Sequence, residues 1–231
     1  KFPRIAPELW QQRMRDGKVH WHDGSLITAE TPYQAQQRVY YYREVASEPK
    51  IPFDERIVFE DEHLLVAFKP HFLALTPGGI YVNECLQQRL RNRTGNEELQ
   101  ALHRLDRVTA GLVLFAKNTH SRARYHDLFA NREIHKTYQA IAKLDALKNV
   151  QADEIEGREW VVKNHMGQAQ PNFRMQVCEG PVNTHSVIRC LQKQNNHALF
   201  ELEPVTGKTH QLRVHMQTLG YPILNDKYYP T

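Results

Sequence analysis

The sequence predicts an α+β fold: a mixed, mostly antiparallel sheet with flanking helices, preceded by a small α/β module. Strand candidates are many, helical segments are few, and the two kinds come in mixed order. The clearest single element is a hairpin, HSVIRCLQKQ (185–194) and HALFELEPV (197–205), joined by an Asn195-Asn196 turn.

Taken in order, Leu9, Trp10, Arg13 and Met14 have helical spacing, and Asp16-Gly17 ends that helix. KVHW (18–21) and SLIT (25–28) are short extended pieces around the turn His22-Asp23-Gly24. RVYYYREV (38–45) is a further strand. SEPKIPFDER (47–56) has two prolines and charge of both signs, and reads as a linker. The chain is therefore expected to divide into residues 1–48 and 49–231.

After the linker, RIVFED (56–61) and HLLVAFKP (63–70) are strands joined at Asp61-Glu62. VNECLQQRLRN (82–92) places Val82, Cys85, Leu86 and Leu90 at helical spacing, and TGNEEL (94–99) is a loop. GLVLFAKN (111–118) is a buried strand. The helix after it carries Tyr125, Leu128 and Phe129 on one face. HKTYQAIAKL (135–144) is another strand, and 145–185 are irregular with short extended pieces. HQLRVHMQTL (210–219) is a helix with Thr209 as N-cap and Gly220 past its end.

Composition narrows the class. The 231 residues, 41% of them apolar, suffice for one sizeable domain and a small module. No run of 18 apolar residues occurs, so a helical membrane span is excluded. The opening KFPRIAPELW carries charge and proline, unlike a secretory signal. There is no initiator Met at position 1, and native residues are expected beyond the ends given. Cys85, Cys178 and Cys190 are far apart and form no CxxC pair, which fits a reducing cytoplasm and neither a zinc knuckle nor a disulfide framework. A net charge of +4 permits a polyanionic partner without requiring one.

Three segments set polar residues beside apolar ones. In LHRLDRVTAGLVLFAKN (102–118), Asp106 lies between Arg104 and Arg107 at the mouth of a buried strand. Such a carboxylate is held ionised and can serve as nucleophile or base. An Asp–Arg pair that only closes a loop has the same local pattern. In REIHKTYQAIA (132–142), Lys136 and Tyr138 share one face of a strand, as an ordinary half-buried Tyr and a solvated Lys would. In EPVTGKTHQLRVHMQTLGYPILNDKYY (203–229), Gly207 turns the chain into a helix bearing Leu212 and Arg213. The N–H groups at that helix start could hold an anion. Arg213 could equally be one half of a surface salt bridge.

HRLDRVTAGLVLFAK resembles the HRLD-x-x-T-[SA]-G-L segment of the RluA-type pseudouridine synthases. EDEHLLVAFKPHFLALTPGG (60–79) is similar to that family's opening motif, in which a strand ends in Lys-Pro. HKTYQA is similar to its Lys-x-Tyr strand, and PVTGKTHQLRVHMQTLGYPILNDKYY to its P-x-T-G-[RK]-T-H-Q-[LI]-R-V-H signature. All four occur in family order over residues 57–229. GKVHWHDG and its surroundings resemble the small ribosomal-type RNA-binding domain that often precedes this catalytic domain. Ala110 stands where Ser is common, and Asn225 precedes Asp226 where Gly is common; both bear on loop detail.

The resemblance implies an enzyme that isomerises uridines in structured RNA, ribosomal RNA favoured and transfer RNA also open. Asp106 would be the catalytic carboxylate and Arg213 the cation paired with it. Tyr138 would lie against the target base and Leu212 would pack under it. Arg104 would enter the RNA stack when the uridine leaves. Lys69 and Lys208 would be phosphate or scaffold contacts. The atoms of uridine are only rearranged, so neither a cofactor nor a metal is expected. A monomer in the cytoplasm is the expected state. The reacting base is inaccessible in a stack and must be flipped out, at a cost of a few kcal/mol. An aromatic face and an inserted Arg offset part of that.

Two other classes compete. A metal-dependent hydrolase would need ligands among His103, Asp106, His210 and His215. The two helical histidines stand five apart, about 140° round a helix, which does not suit one shared ion. A non-catalytic RNA-binding protein would suit the basic balance, but a buried Asp would repel phosphate.

Overall fold

The computed structural model describes residues 5–42, 45, 47–144, 155–171 and 173–230. Four helices and eleven strands alternate along these residues. The strands form a two-stranded sheet, a four-stranded sheet ordered β3-β4-β6-β5 and a five-stranded sheet ordered β7-β11-β10-β8-β9. All strand pairs with a resolved register are antiparallel, as the α+β expectation requires. The chain divides into two compact units. Unit 1 holds Lys1–Asp61 and Leu65–Phe115, and unit 2 holds Glu62–Leu64 and Ala116–Thr231. The expected boundary at 48/49 falls inside unit 1.

Unit 1 begins with α1 (Pro7–Arg15), which starts on a proline that needs no N–H partner. Gly17, at φ 66°, carries the chain out of the helix in a conformation glycine adopts without strain. β1 (Val19–Trp21) takes β2 (Val39–Tyr41) as its ladder partner. The expected partner, residues 25–28, contributes only the isolated bridge of Leu26 to His20. Part of the third expected strand, residues 43 and 44, lies outside the described residues.

The linker is pinned. The Glu48 carboxylate accepts the backbone N–H groups of Val82, Asn83 and Glu84 at 2.7–3.0 Å. Ile51 is buried in the core of unit 1. α2 (Leu86–Thr94) consequently starts four residues later than its apolar spacing suggests, because Val82–Glu84 are engaged with the linker. Gly95 ends it in the left-handed conformation.

β3 (Arg56–Glu60) and β4 (Leu64–Lys69) pair antiparallel across the predicted turn. On β4, Leu65, Ala67 and Lys69 alternate onto the buried side. β5 (Gln100–Ala101) and β6 (Gly111–Ala116) complete the sheet. Leu65, Leu73, Leu86, Leu90, Val113 and Phe115 are fully buried in its core.

In unit 2, Asn118 caps α3 (Thr119–Ala130), its side chain accepting the Ser121 N–H at 2.8 Å. The five-stranded sheet comprises β7 (Tyr138–Lys143), β8 (Glu159–Gln168), β9 (Met175–Cys178), β10 (Thr184–Gln194) and β11 (His197–Pro204). The predicted hairpin is its centre, with Asn195 left-handed in the turn at φ 53°. The expectation of irregular structure over 145–185 is corrected: β8 is a ten-residue strand paired along β10. Residues 145–154 lie outside the described residues. α4 (Gln211–Thr218) packs on this sheet, and its N-cap is His210, left-handed at φ 56°, rather than Thr209. Its Met216 joins Ile188, Phe200 and Leu202 in the core. Among the described residues no helix is long and apolar enough to cross a membrane.

Candidate active site

The predicted site residues fall into two groups. Lys69, Arg104 and Asp106 belong to unit 1; Tyr138, Lys208, Leu212 and Arg213 belong to unit 2.

The unit 1 group is built on the segment between β5 and β6. Leu105 packs against the core and anchors the segment next to Asp106. The Asp106 carbonyl accepts the Thr109 N–H at 3.0 Å, closing a turn that leads to Gly111, where φ is 143°. The Asp106 side chain is 18% exposed, and one oxygen lies 3.7 Å from Nη2 of the largely exposed Arg104. An ion pair with one partner in solvent is worth little to stability. It does hold a cation beside the carboxylate.

Lys69 lies beneath this segment. It is fully buried, and its Nζ donates to the carbonyls of Pro70 (3.1 Å), Leu73 (2.8 Å) and Arg107 (3.1 Å). All three N–H donors of the ammonium can be satisfied by these carbonyls. Burial pushes its pKa down to about 8; the Asp106 charge opposes that shift and the Arg107 charge adds to it. Of its two expected roles, phosphate contact needs an exposed ammonium. The geometry serves the other, tying the 70–73 turn to the Asp106 segment. His71 adds a second tie, its Nδ1 standing 2.7 Å from the Val108 carbonyl.

The unit 2 group rests on the start of β7 and on α4. Tyr138 pairs across to Leu202, and both Tyr138 and Leu212 pack against the same core cluster. Lys136, two residues before β7 and so outside the strand expected to carry it, lies 5.8 Å from the Phe129 ring, and burial lowers its pKa. Lys208 is exposed in the turn before α4. That turn is held by a residue the sequence reading passed over. Gln211 is 3% exposed, and its Oε1 accepts from the Lys208 N–H and the Thr206 hydroxyl. Its Nε2 donates to the His185 carbonyl and Ser186 Oγ.

The resemblance pairs Arg213 with Asp106. Within its own unit, Arg213 is gripped by Asp226: Nε donates to Oδ2 at 2.7 Å and Nη2 to Oδ1 at 2.8 Å. Two parallel bonds fix the guanidinium plane, and the Tyr228 and Tyr229 rings lie 5.3 and 5.0 Å from its centre. Burial alone would raise the Asp226 pKa; the Arg213 bond and the Tyr228 N–H outweigh it and hold the group below the usual carboxylate range. Asp226 entered the sequence reading only as the residue after an atypical Asn. An Asp thirteen positions from its Arg leaves no periodic signal.

The two α4-region histidines serve separate neighbours. His210 Nδ1 lies 2.7 Å from the Tyr229 hydroxyl. His215 is fully buried, its Nε2 within 3.3 Å of Asn164 Oδ1 and Thr184 Oγ1.

Comparison with known proteins gives the family. A sequence model of the RNA pseudouridylate synthase family matches residues 63–218. The dual-specificity RNA pseudouridine synthase RluA of Vibrio vulnificus is 35% identical over 78% of this chain and 71% of its own. The ribosomal large subunit pseudouridine synthase C of Rickettsia typhi is 35% identical over 75% of this chain, which spans 55% of that relative. In structure, human RNA pseudouridylate synthase domain containing 1 aligns with 80% of this chain and 73% of its own at a TM-score of 0.64 and 24% identity, a likeness of fold. With the match reaching from the start of β4 to the end of α4, the chain belongs to the RNA pseudouridylate synthase family.

Proposed function

We propose that the chain converts chosen uridines of structured RNA to pseudouridine, with Asp106 as the catalytic carboxylate. The exchange breaks the bond from ribose C1′ to N1 of uracil and forms one from C1′ to C5. The hydrogen on C5 leaves to water and N1 gains one. Tyr138 and Leu212 are the groups for the flipped base, Arg213 the fixed cation, and Arg104 and Lys208 the basic contacts to RNA. Ribosomal RNA is the favoured substrate and transfer RNA the second.

The observation that carries this is the Asp106 segment. One carboxylate is mostly withdrawn from water, held on a turn whose floor is a buried lysine and whose inner neighbour is a core leucine. Such support is what a positioned catalytic group requires. Residues 1–48 supply a further RNA contact in the same proposal. Its support is a row of neighbouring rings on the β1–β2 sheet: His22, Tyr40, His20 and Tyr42, successive centroids 5.6–5.7 Å apart. A monomer working in the cytoplasm belongs to the proposal too, and light scattering and cell fractionation check those two points.

The test uses ribosomal and transfer RNA carrying tritium at C5 of uridine. Wild-type protein should release tritium to water, and Asp106→Ala should lose at least about a hundredfold of that rate while still binding RNA. Equal release by the two proteins would remove Asp106 from the chemistry. RNA binding without release by wild type would leave the non-catalytic reading standing.

A further inference from the structure

Phe72 is the feature of unit 1 that folding alone does not account for. It is a bulky aromatic residue in the left-handed region, at φ 68°, which side chains of that kind rarely adopt. Burial is no compensation, since the residue remains 48% exposed. The surroundings hold the conformation from several sides. The Lys69 ammonium bonds the carbonyls of Pro70 and Leu73, either side of Phe72. Arg107 Nη1 lies 3.5 Å from the Phe72 carbonyl, and the His71 ring is anchored on Val108. Each tie runs within the turn or to the Asp106 segment. Strain that the surroundings maintain beside a catalytic group points to use of the side chain.

We infer that the Phe72 ring is a stacking surface for an unpaired nucleobase flanking the target uridine, an inference that rests on the RNA-modifying reading above. A half-exposed aromatic face offers sequence-tolerant stacking. The exposed Arg104, Arg107 and His71 around it suit the phosphates of the same strand. The Phe53 ring, with its centroid 6.3 Å away and itself 46% exposed, widens the apolar surface without covering it. Flipping a uridine leaves its neighbour without a stacking partner. An aromatic fixed next to the catalytic segment replaces that partner.

A structural role and a stacking role part company in one substitution. Phe72→Gly relieves the left-handed strain, so its thermal midpoint should equal or exceed that of wild type. Its KM for C5-tritiated RNA should rise about tenfold, more than kcat falls, as the loss of one base–aromatic stack implies. Phe72→Leu should show the same KM defect and Phe72→Trp should not. The same comparison is made for binding, in the Asp106→Ala protein with and without Phe72→Gly, by filter retention of labelled RNA. A tenfold loss there supports the stack even if catalysis is absent. Unchanged RNA affinity, or a lowered midpoint with unchanged affinity, assigns Phe72 to packing against Phe53 and overturns the inference. Wild-type protein that binds RNA and releases no tritium sinks the activity reading alone.

Discussion

At the scale of single residues, His215 shows how tertiary context decides what a side chain is. Burial, aided by the His185 charge, pushes its pKa down to about 4 from an ordinary 6.5. The unfolded chain takes up a proton as pH falls through 6.5, and the folded chain does so only near 4. The neutral imidazole therefore contributes stability that is fully present above pH 6.5 and is lost as pH falls towards 4. The loss is of order 2–3 kcal/mol. Urea unfolding at pH 7 and at pH 4.5 should show this decline in wild type and a shallower one in His215→Gln. Equal declines would place the acid sensitivity in the carboxylates. In the sequence, His215 stands out only as a ligand of the competing metal-hydrolase reading, and is otherwise one of thirteen histidines. Nothing local distinguishes it, because its partners, Asn164 and Thr184, come from β8 and β10. The Arg104–Asp106 pair was legible because its setting is local, with two arginines beside the carboxylate and an apolar strand after it; a catalytic role for Asp106 is implied by the resemblance alone. Phe72 was not legible, because a positive φ in a non-glycine residue leaves no compositional mark.

At the scale of elements, spacing found the helices and hairpins whose partners are near in sequence. It missed β8, and the reason is chemical. The β8 face that carries Trp160, Val162 and Met166 also carries the polar Asn164, which interrupts the apolar alternation. Asn164 is accommodated by Thr184, whose hydroxyl donates to its backbone carbonyl at 2.9 Å, and by His215. The ties of the linker escaped notice for a related reason. Prolines and mixed charge do describe SEPKIPFDER, but Glu48 finds its partners thirty-four to thirty-six residues on. Its carboxylate takes the place of an N-terminal cap for the segment leading into α2. Burial opposes its ionisation, and the N–H groups of Glu84, Asn83 and Val82 outweigh that and hold its pKa low. Glu48→Ala should cost about 1–2 kcal/mol, with hydrogen exchange accelerated first at Val82–Glu84. Unaltered exchange there would mean that water replaces the carboxylate without loss.

At the scale of the whole molecule, the α+β class was readable from element counts, while the division into units was not. The sequence suggests a break at a proline-rich linker; the main change of unit falls between Phe115 and Ala116, inside β6, where no composition shift occurs. Each unit has its own apolar core. The residues after α4 look like a trailing end, yet Tyr221 fills the core of unit 2 beside Trp160 and Phe200, and Tyr229 is 1% exposed.

That returning segment has a consequence for solubility. β7 is the outermost strand of its sheet, and the chain past Gly220 runs beside it: Ile223 bridges to Ala142, and the Leu224 N–H bonds the Ile141 carbonyl. Without this cover, β7 would present bare donors and acceptors to any other chain, a template for intermolecular pairing. Ending the protein at Gly220 should therefore yield soluble aggregates on size-exclusion chromatography, and Asp226→Ala, which loosens the same segment, should yield a smaller fraction. Monodisperse truncated protein would show that β7 needs no guard. On that outcome the carboxylate that orients Arg213 would also keep one molecule from recruiting the next.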